Sequence, residues 1–367
     1  MNLSHFRLIA AWATVAIFLI AGPGMVANPH PLVAVSLFVW LLGVVLWAAF
    51  GVVHEAEEVA ERLGEPFGTL VLTLSIVIIE VALIAAVMLG TKGVPTLGRD
   101  TMFAVLMIVL NGVVGLGLLL GGLRFHQQSY NLQGASAYLS VIIPLTVIAL
   151  VLPNFTTSTG TGTLSPVQAG FFSLFTVGLY GIFLWLQTGR HQGFFTATDD
   201  GADGEIGLPL PHTHPEGGST RTHVILLFAN ILPIIILSKS LAKLLDHGIA
   251  ALGAPAALGG IIIAMIVFTP EGISALKAVA ANQLTRAINL CLGAATSTLG
   301  LTVPAVLIIG LLTGQPVILG LSAANMVLLV VTLILNTLTF SGTRTTMLEG
   351  AVHLSLFFVF LVLIFSP

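Results

Sequence analysis

Charge is what this sequence has least of: 7% of its 367 residues are Asp, Glu, Lys or Arg, against 56% hydrophobic. Soluble domains carry about 25% charged residues, so a water-soluble globule is excluded and an integral membrane protein is indicated. The mean hydropathy of +1.07 agrees. No basic tract is present, and with a net charge of −3 no nucleic-acid partner is expected. The single cysteine, Cys291, excludes an intrachain disulfide. An intramembrane enzyme would need a Ser/His, Asp/Asp or His-Glu-x-x-His constellation in its spans. None is written here, and His353 has no obvious partner. A filter-like loop of the kind a channel uses is missing too.

Long apolar runs are what the chain does have. A bilayer asks for about 20 such residues, and eleven runs answer: 8–27, 32–53, 67–90, 101–122, 135–153, 166–187, 222–245, 255–277, 288–312, 317–338 and 350–366. The first is longer than the core of a secretory signal, about 7–15 residues, and a second span follows at once, so it is expected to stay as a helix. Eight basic residues (Arg7, Arg62, Arg124, Arg190, Arg221, Lys277, Arg286, Arg344) fall on one side, and four (Lys92, Arg99, Lys239, Lys243) on the other. The positive-inside rule then predicts a multi-pass protein of the cell (inner) membrane with a cytoplasmic N-terminus and, after eleven spans, an outside C-terminus.

One linker is long. It yields an N-terminal transmembrane helix within 1–30, a first five-helix part at 31–187, a cytoplasmic acidic and His-bearing loop at 188–221, and a second five-helix part at 222–367. His212 and His214 in that loop have no third firm ligand beside them, and a solvated loop is the expectation. Five is odd, so two equivalent parts must insert upside down relative to each other, the plan of many secondary transporters. Leu63-Gly-Glu-Pro66 and Leu252-Gly-Ala-Pro255 open the second span of each part. The fold class expected is therefore an all-α integral membrane protein, one N-terminal helix plus two inverted five-helix repeats.

Two acids lie deep in apolar runs, Glu80 and Glu271, about 20 Å and about 24 Å along their helices at 1.5 Å per residue. A charged carboxylate there costs at least roughly 2.5–3.5 kcal/mol, so each needs a partner, a cavity or a proton. Pro270 and Gly272 flank Glu271, and a proline in the helix frees carbonyl oxygens beside the acid. Thr69, Thr73 and Glu80 share one helical face, and Thr285, Asn289 and Thr296 repeat that spacing on the ninth span. Asn111 adds an amide on the fourth. Carboxylates, hydroxyls, amides and carbonyls form the oxygen set that a hard cation such as Ca²⁺ requires. The bland alternatives are hydroxyls bonded to their own helices and a structural acid kept protonated by desolvation. Nearer the N-terminus, the acids Glu55, Glu57, Glu58, Glu61 and Glu65 form either a cation-concentrating mouth or a solvated linker helix.

The charge arithmetic suggests exchange. Two buried carboxylates are neutralised by two protons, by one divalent cation, or by one monovalent cation and one proton. Desolvation penalises the bare charges, so protons and cation compete for one place.

Gly64-Glu-Pro-Phe-Gly-Thr-Leu-Val-Leu-Thr-Leu-Ser-Ile-Val-Ile-Ile-Glu80 resembles the first repeat motif of the ChaA-type calcium/cation–proton antiporters, as Thr269-Pro-Glu-Gly-Ile-Ser-Ala275 and Ala281-Asn-Gln-Leu-Thr-Arg-Ala-Ile-Asn-Leu290 resemble the second. Leu110 to Arg124, Tyr130 to Ala137 and Leu348-Glu-Gly-Ala351 are similar to further segments of that family. The resemblance covers 55–366. It implies inverted five-helix repeats and export of Ca²⁺, or of Na⁺ and K⁺, in exchange for protons, with no cofactor. It also implies that Glu80 and Glu271 are the alternating carboxylates. Around them Asn111, Thr73, Thr269 and Thr296 are expected as neutral helpers, and Pro270 and Gly272 as the gating break. One departure concerns the ion. The eukaryotic and vacuolar calcium/proton exchangers carry Gly-Asn-Ala before the acid and a glutamine on the following helix. This chain has Val77-Ile-Ile79 and Ser297 at those places. A monovalent Na⁺(K⁺)/H⁺ antiporter is the alternative; oligomeric state is not legible.

Overall fold

A computed structural model describes residues 3–27, 29–64, 67–90, 94–196 and 219–366. The His212/His214 loop and the Glu65–Pro66 part of the first repeat signature lie outside the described residues, as does the Thr69 side chain.

Unbroken Leu, Ile, Val and Ala runs give helices throughout. In order they are α1 (Leu3–Ile20), α2 (Gly22–Ala27), α3 (Pro31–Leu63), α4 (Phe67–Gly90), α5 (Leu97–Met107), α6 (Val114–Phe125), α7 (Leu132–Thr146), α8 (Pro166–Trp185), α9 (Thr220–Leu252), α10 (Ala257–Ala280), α11 (Leu284–Ser297), α12 (Val303–Thr313), α13 (Ala323–Thr339) and α14 (Met347–Phe365). Strands β1 (Gln128–Ser129) and β2 (Arg344–Thr345) pair antiparallel, a small departure from an all-α chain. Among the described residues nine helical segments are long and apolar enough to cross a membrane, while Phe6–Ile20 and Ala323–Thr339 are apolar but shorter.

Two expected spans begin or end elsewhere. The run 8–27 is divided at Ala21, because Pro23 has no N–H to continue the α1 ladder. The run 317–338 becomes helical only at Ala323, where Ser322 caps the Asn325 N–H. Before it, Leu319 N donates to Gly162 O at 2.8 Å and Leu321 N to Leu150 O at 3.0 Å, which holds that stretch out of a helix.

The chain divides into two compact units. Unit 1 comprises 1–101, 218–270 and 305–317. Its α3 and α9 have 33 residues each, about 50 Å of helix, more than the roughly 30 Å hydrocarbon core. They lie along one another with α4 against both. One apolar cluster fills the space between, with Leu41, Val45, Val52, Ile84, Ile234 and Leu241 buried in it. Gly253, at φ 60 and ψ 26, ends α9 in the left-handed conformation that only glycine adopts without cost.

Unit 2 comprises 102–217, 271–304 and 318–367. Its helices are interrupted by π-helical segments at Ile108–Val113, Val147–Val151, Leu186–Arg190 and Thr298–Thr302. Here α6 and α14 approach closely: a Cβ on Gly350 would lie 2.4 Å from Leu119 N, and one on Gly115 2.9 Å from His353 Cβ. Small residues permit such contact between membrane helices.

Element lengths recur along the chain. Helices of 33 and 24 residues, α3 and α4, are matched by 33 and 24 in α9 and α10. The next helical segment in each series, Leu97–Phe125 and Leu284–Thr313, carries a π segment near its middle.

Candidate functional site

Glu80 is the fourteenth residue of α4 and Glu271 the fifteenth of α10, each helix 24 residues long. The first is 1% exposed and the second 8%. Around Glu80 the same helix buries Val77, Ile79, Leu83 and Ile84, so the carboxylate sits in an apolar wall. Thr73, two turns before it, is half-buried. Glu80 belongs to unit 1, which ends its second stretch at Pro270; unit 2 resumes at Glu271.

The expected break at Pro270 takes a milder form. Helix α10 runs through the proline to Ala280, so Pro270 withholds one donor, from the carbonyl of Ile266, without ending the helix. Gly272 is buried in that same turn. The Thr269 hydroxyl donates to Met265 O at 2.5 Å, and Thr296, fully buried on α11, donates to Leu292 O at 2.6 Å. Both hydroxyls are thus bonded to their own helix, as membrane threonines commonly are, and their oxygens retain acceptor capacity.

The rest of the expected α11 face is used differently. Thr285 Oγ1 accepts from Asn131 N at 3.2 Å, and Asn289 Nδ2 donates to Phe195 O at 2.6 Å. These two bonds tie α11 to the start of α7 and to the turn at Gln192–Phe195.

Asn111 is fully buried inside the π segment Ile108–Val113. Its Nδ2 donates to Thr332 Oγ1 at 2.8 Å and faces Met107 Sδ at 3.5 Å. Its Oδ1 lies 3.2 Å from His353 Nδ1, and His353 Nε2 lies 2.9 Å from Thr339 Oγ1. His353 therefore has the partners that were not evident in sequence. Thr332 and Thr339 are not legible as its neighbours in sequence, and His353 stands there without a partner, because 221 residues separate Asn111 from Thr332 and 242 separate it from His353. The one local signal was a histidine inside an otherwise apolar span.

At the acidic stretch of α3, Glu55 is 2% exposed, 2.8 Å from His223 Nδ1 and 3.9 Å from Arg7 Nη2, while Glu58 pairs with Arg62 at 3.4 Å. Glu55 is a buried ionic anchor, and that corrects its place in a cation-concentrating mouth. Among the described residues no group of three or more His, Cys, Asp or Glu is gathered as a metal site. A cation at either acid would need neutral oxygens to complete its shell.

The family model for sodium/calcium exchanger proteins matches residues 33–189 and 222–366. The chain is 41% identical to the putative ionic transporter y4hA of Sinorhizobium fredii over 342 residues, 93% of this chain and 92% of that protein. It is 40% identical to the sodium-potassium/proton antiporter ChaA of Escherichia coli over 334 residues, 89% of this chain and 87% of that one. Of solved structures, native YfkE is similar at a TM-score of 0.74 and 18% identity, covering 98% of this chain and 100% of that chain, a likeness of fold.

Proposed function

The chain belongs to the sodium/calcium exchanger protein family, and from that premise we propose that it is a cation/proton antiporter of the cell membrane. It exports Na⁺ and K⁺, and Ca²⁺ as a further substrate, in exchange for protons. The observation that carries this reading is the pair of carboxylates, Glu80 and Glu271. Each is buried near the middle of a 24-residue apolar helix. A carboxylate in such a place has to be balanced by a partner, a proton or a cation, and the last two exchange. One monovalent cation and one proton, or one divalent cation, replaces two protons across the pair, and mutually exclusive occupancy is antiport.

Thr73, Thr269, Thr296 and Asn111 supply neutral oxygens, and Pro270 with Gly272 lets α10 flex where its ladder lacks a donor. The recurrence of 33- and 24-residue helices followed by a π-interrupted one supports reading 31–187 and 222–367 as inverted repeats. In that arrangement the N-terminus and the 188–221 loop are cytoplasmic.

The monovalent ions come first for two reasons: the 40% identical relative is named for sodium and potassium, and Val77-Ile-Ile79 stands before Glu80 where the eukaryotic and vacuolar calcium/proton exchangers carry Gly-Asn-Ala. The test is cation-induced collapse of a proton gradient in everted vesicles, with Na⁺, K⁺ and Ca²⁺ run side by side. Collapse with Na⁺ or K⁺ at lower concentration than with Ca²⁺ is expected. Response to Ca²⁺ alone would overturn the monovalent assignment, and response to none of them would overturn antiport.

A further inference from the structure

We infer that His353 is a positioning residue for exchange: it fixes the orientation of the Asn111 side-chain amide and so decides that oxygen, rather than NH₂, is the atom available to a cation. The inference rests on the reading that Asn111 is a neutral oxygen of the cation path.

An asparagine amide is nearly symmetric in shape, and only its hydrogen-bond partners distinguish its two ends. At one end of Asn111 stand two acceptors, Thr332 Oγ1 at 2.8 Å and Met107 Sδ at 3.5 Å. The Thr332 hydroxyl is aimed at the same sulfur at 3.7 Å, which leaves its lone pairs for the Asn111 NH₂. That places Oδ1 at the other end, 3.2 Å from His353 Nδ1.

The contact constrains the histidine in turn. For Oδ1 to accept, Nδ1 must carry the proton, which makes Nε2 of the neutral ring an acceptor. Thr339 Oγ1, 2.9 Å away, is the donor for it. With the ring proton on Nδ1 and the Thr332 hydroxyl aimed at Met107 Sδ, a flipped amide would set NH₂ against N–H at His353 and oxygen against the lone pairs at Thr332. Both errors would be buried, since Asn111, Thr332 and His353 are all 0% exposed. An unmade buried hydrogen bond is costly, so the amide is held one way round. A carbonyl oxygen has two lone pairs. His353 occupies one, and the second remains for an ion.

The ring is also locked in place. Gly115 on α6 leaves room for the His353 Cβ, which a methyl there would approach to 2.9 Å. Its partner Asn111 sits in the π segment, where backbone geometry departs from the α-helix, a feature frequent at functional positions. An outer-shell group of this kind typically alters affinity for a bound cation by about 10–100-fold when removed.

The test separates the Nδ1 donor from bulk. An Asn at 353 puts an amide nitrogen close to where Nδ1 stands, whereas a Gln puts one nearer Nε2. Transport KM and maximal rate for Na⁺ and K⁺ would be measured in vesicles for wild type, His353→Asn, His353→Gln, His353→Leu, Asn111→Ala and the double variant Asn111→Ala/His353→Leu. We expect KM to rise about tenfold or more for the Gln and Leu variants. The Asn variant should stay near wild type, and His353→Leu should add nothing once Asn111 is gone. Equal defects in the Asn, Gln and Leu variants, following their folded yield, would show that the ring only fills space and would overturn the inference. If Asn111→Ala raises KM while His353→Gln leaves it unchanged, the positioning role falls and the Asn111 assignment stands. If Asn111→Ala leaves KM unchanged, the assignment of Asn111 itself falls. Should the Leu variant fail to fold, the Asn and Gln pair decides.

Discussion

Unit 1 buries an Arg7–Glu55 pair with His223 against it, beside an apolar core, whereas unit 2 runs a line of polar side chains through its interior, from Met107 and Thr332 through Asn111 and His353 to Thr339. Among the described residues all four π segments fall in unit 2 and none in unit 1. A buried ion pair is rigid: each partner is held by the cost of leaving the other bare. Neutral amides and hydroxyls are held by directional hydrogen bonds that leave lone pairs free to accept, and π segments are frequent at functional positions. The ionic cluster suits anchoring and the neutral line suits ligand traffic. Each unit holds one of the two deep carboxylates, Glu80 in unit 1 and Glu271 in unit 2.

That contrast can be broken by mutation. The largest loss of stability is expected for Glu55→Ala, which strands Arg7 and His223 in a buried setting. Breaking such a pair costs about 3–5 kcal/mol, read as a lower unfolding midpoint in detergent, with cation preference unchanged in the protein that survives. Gly350→Ala comes next. Its new Cβ would meet Leu119 N at 2.4 Å, and backbone must move to relieve it, at about 1–3 kcal/mol. Because α14 carries His353, KM for the cation should shift as well. Thr332→Val removes the acceptor that orients the Asn111 NH₂ and costs about 1 kcal/mol; here the exchange KM should change more than the unfolding midpoint. An unfolding loss without a KM change would erase the functional distinction between the units.

The smallest effect is at Tyr130, between α6 and α7, whose hydroxyl donates to the Thr339 and Gly342 carbonyls. Burial, with Glu349 adding to it, pushes this phenol up to about 12. The unfolded phenol titrates near 10, so the folded state holds the proton longer. Its contribution is complete below about pH 10 and is lost as pH climbs towards 12. Tyr130→Phe should flatten that alkaline fall, and the phenolate ultraviolet absorbance of the wild type should lag behind that of the unfolded chain.

Much of this was legible in the sequence. Helix positions followed from apolar runs, and both deep acids stood out because a charged carboxylate is costly in hydrocarbon. The ends of the long helices were harder. The run 32–53 was expected to stop at His54, but α3 continues to Leu63. It does so because Glu55 turns inward to Arg7 and His223, and Glu58 pairs with Arg62 one turn on. A polar-looking linker thereby became helix, with Glu55, Ala56 and Val59 on its buried face. The π segments leave no pattern in composition, since Ile108–Val113 and Thr298–Thr302 are as apolar as their flanks. The Asn111–His353 contact joins residues 242 apart, and only the folded chain brings them together.

The central claim is that Glu80 and Glu271 are both obligatory carriers of proton and cation. Its most direct test is cation-induced release of a proton gradient in everted vesicles from cells making wild type, Glu80→Gln or Glu271→Gln protein at matched membrane levels. The account predicts release with wild type and none with either glutamine variant, for Na⁺, K⁺ and Ca²⁺ alike. Full exchange by either variant would contradict it.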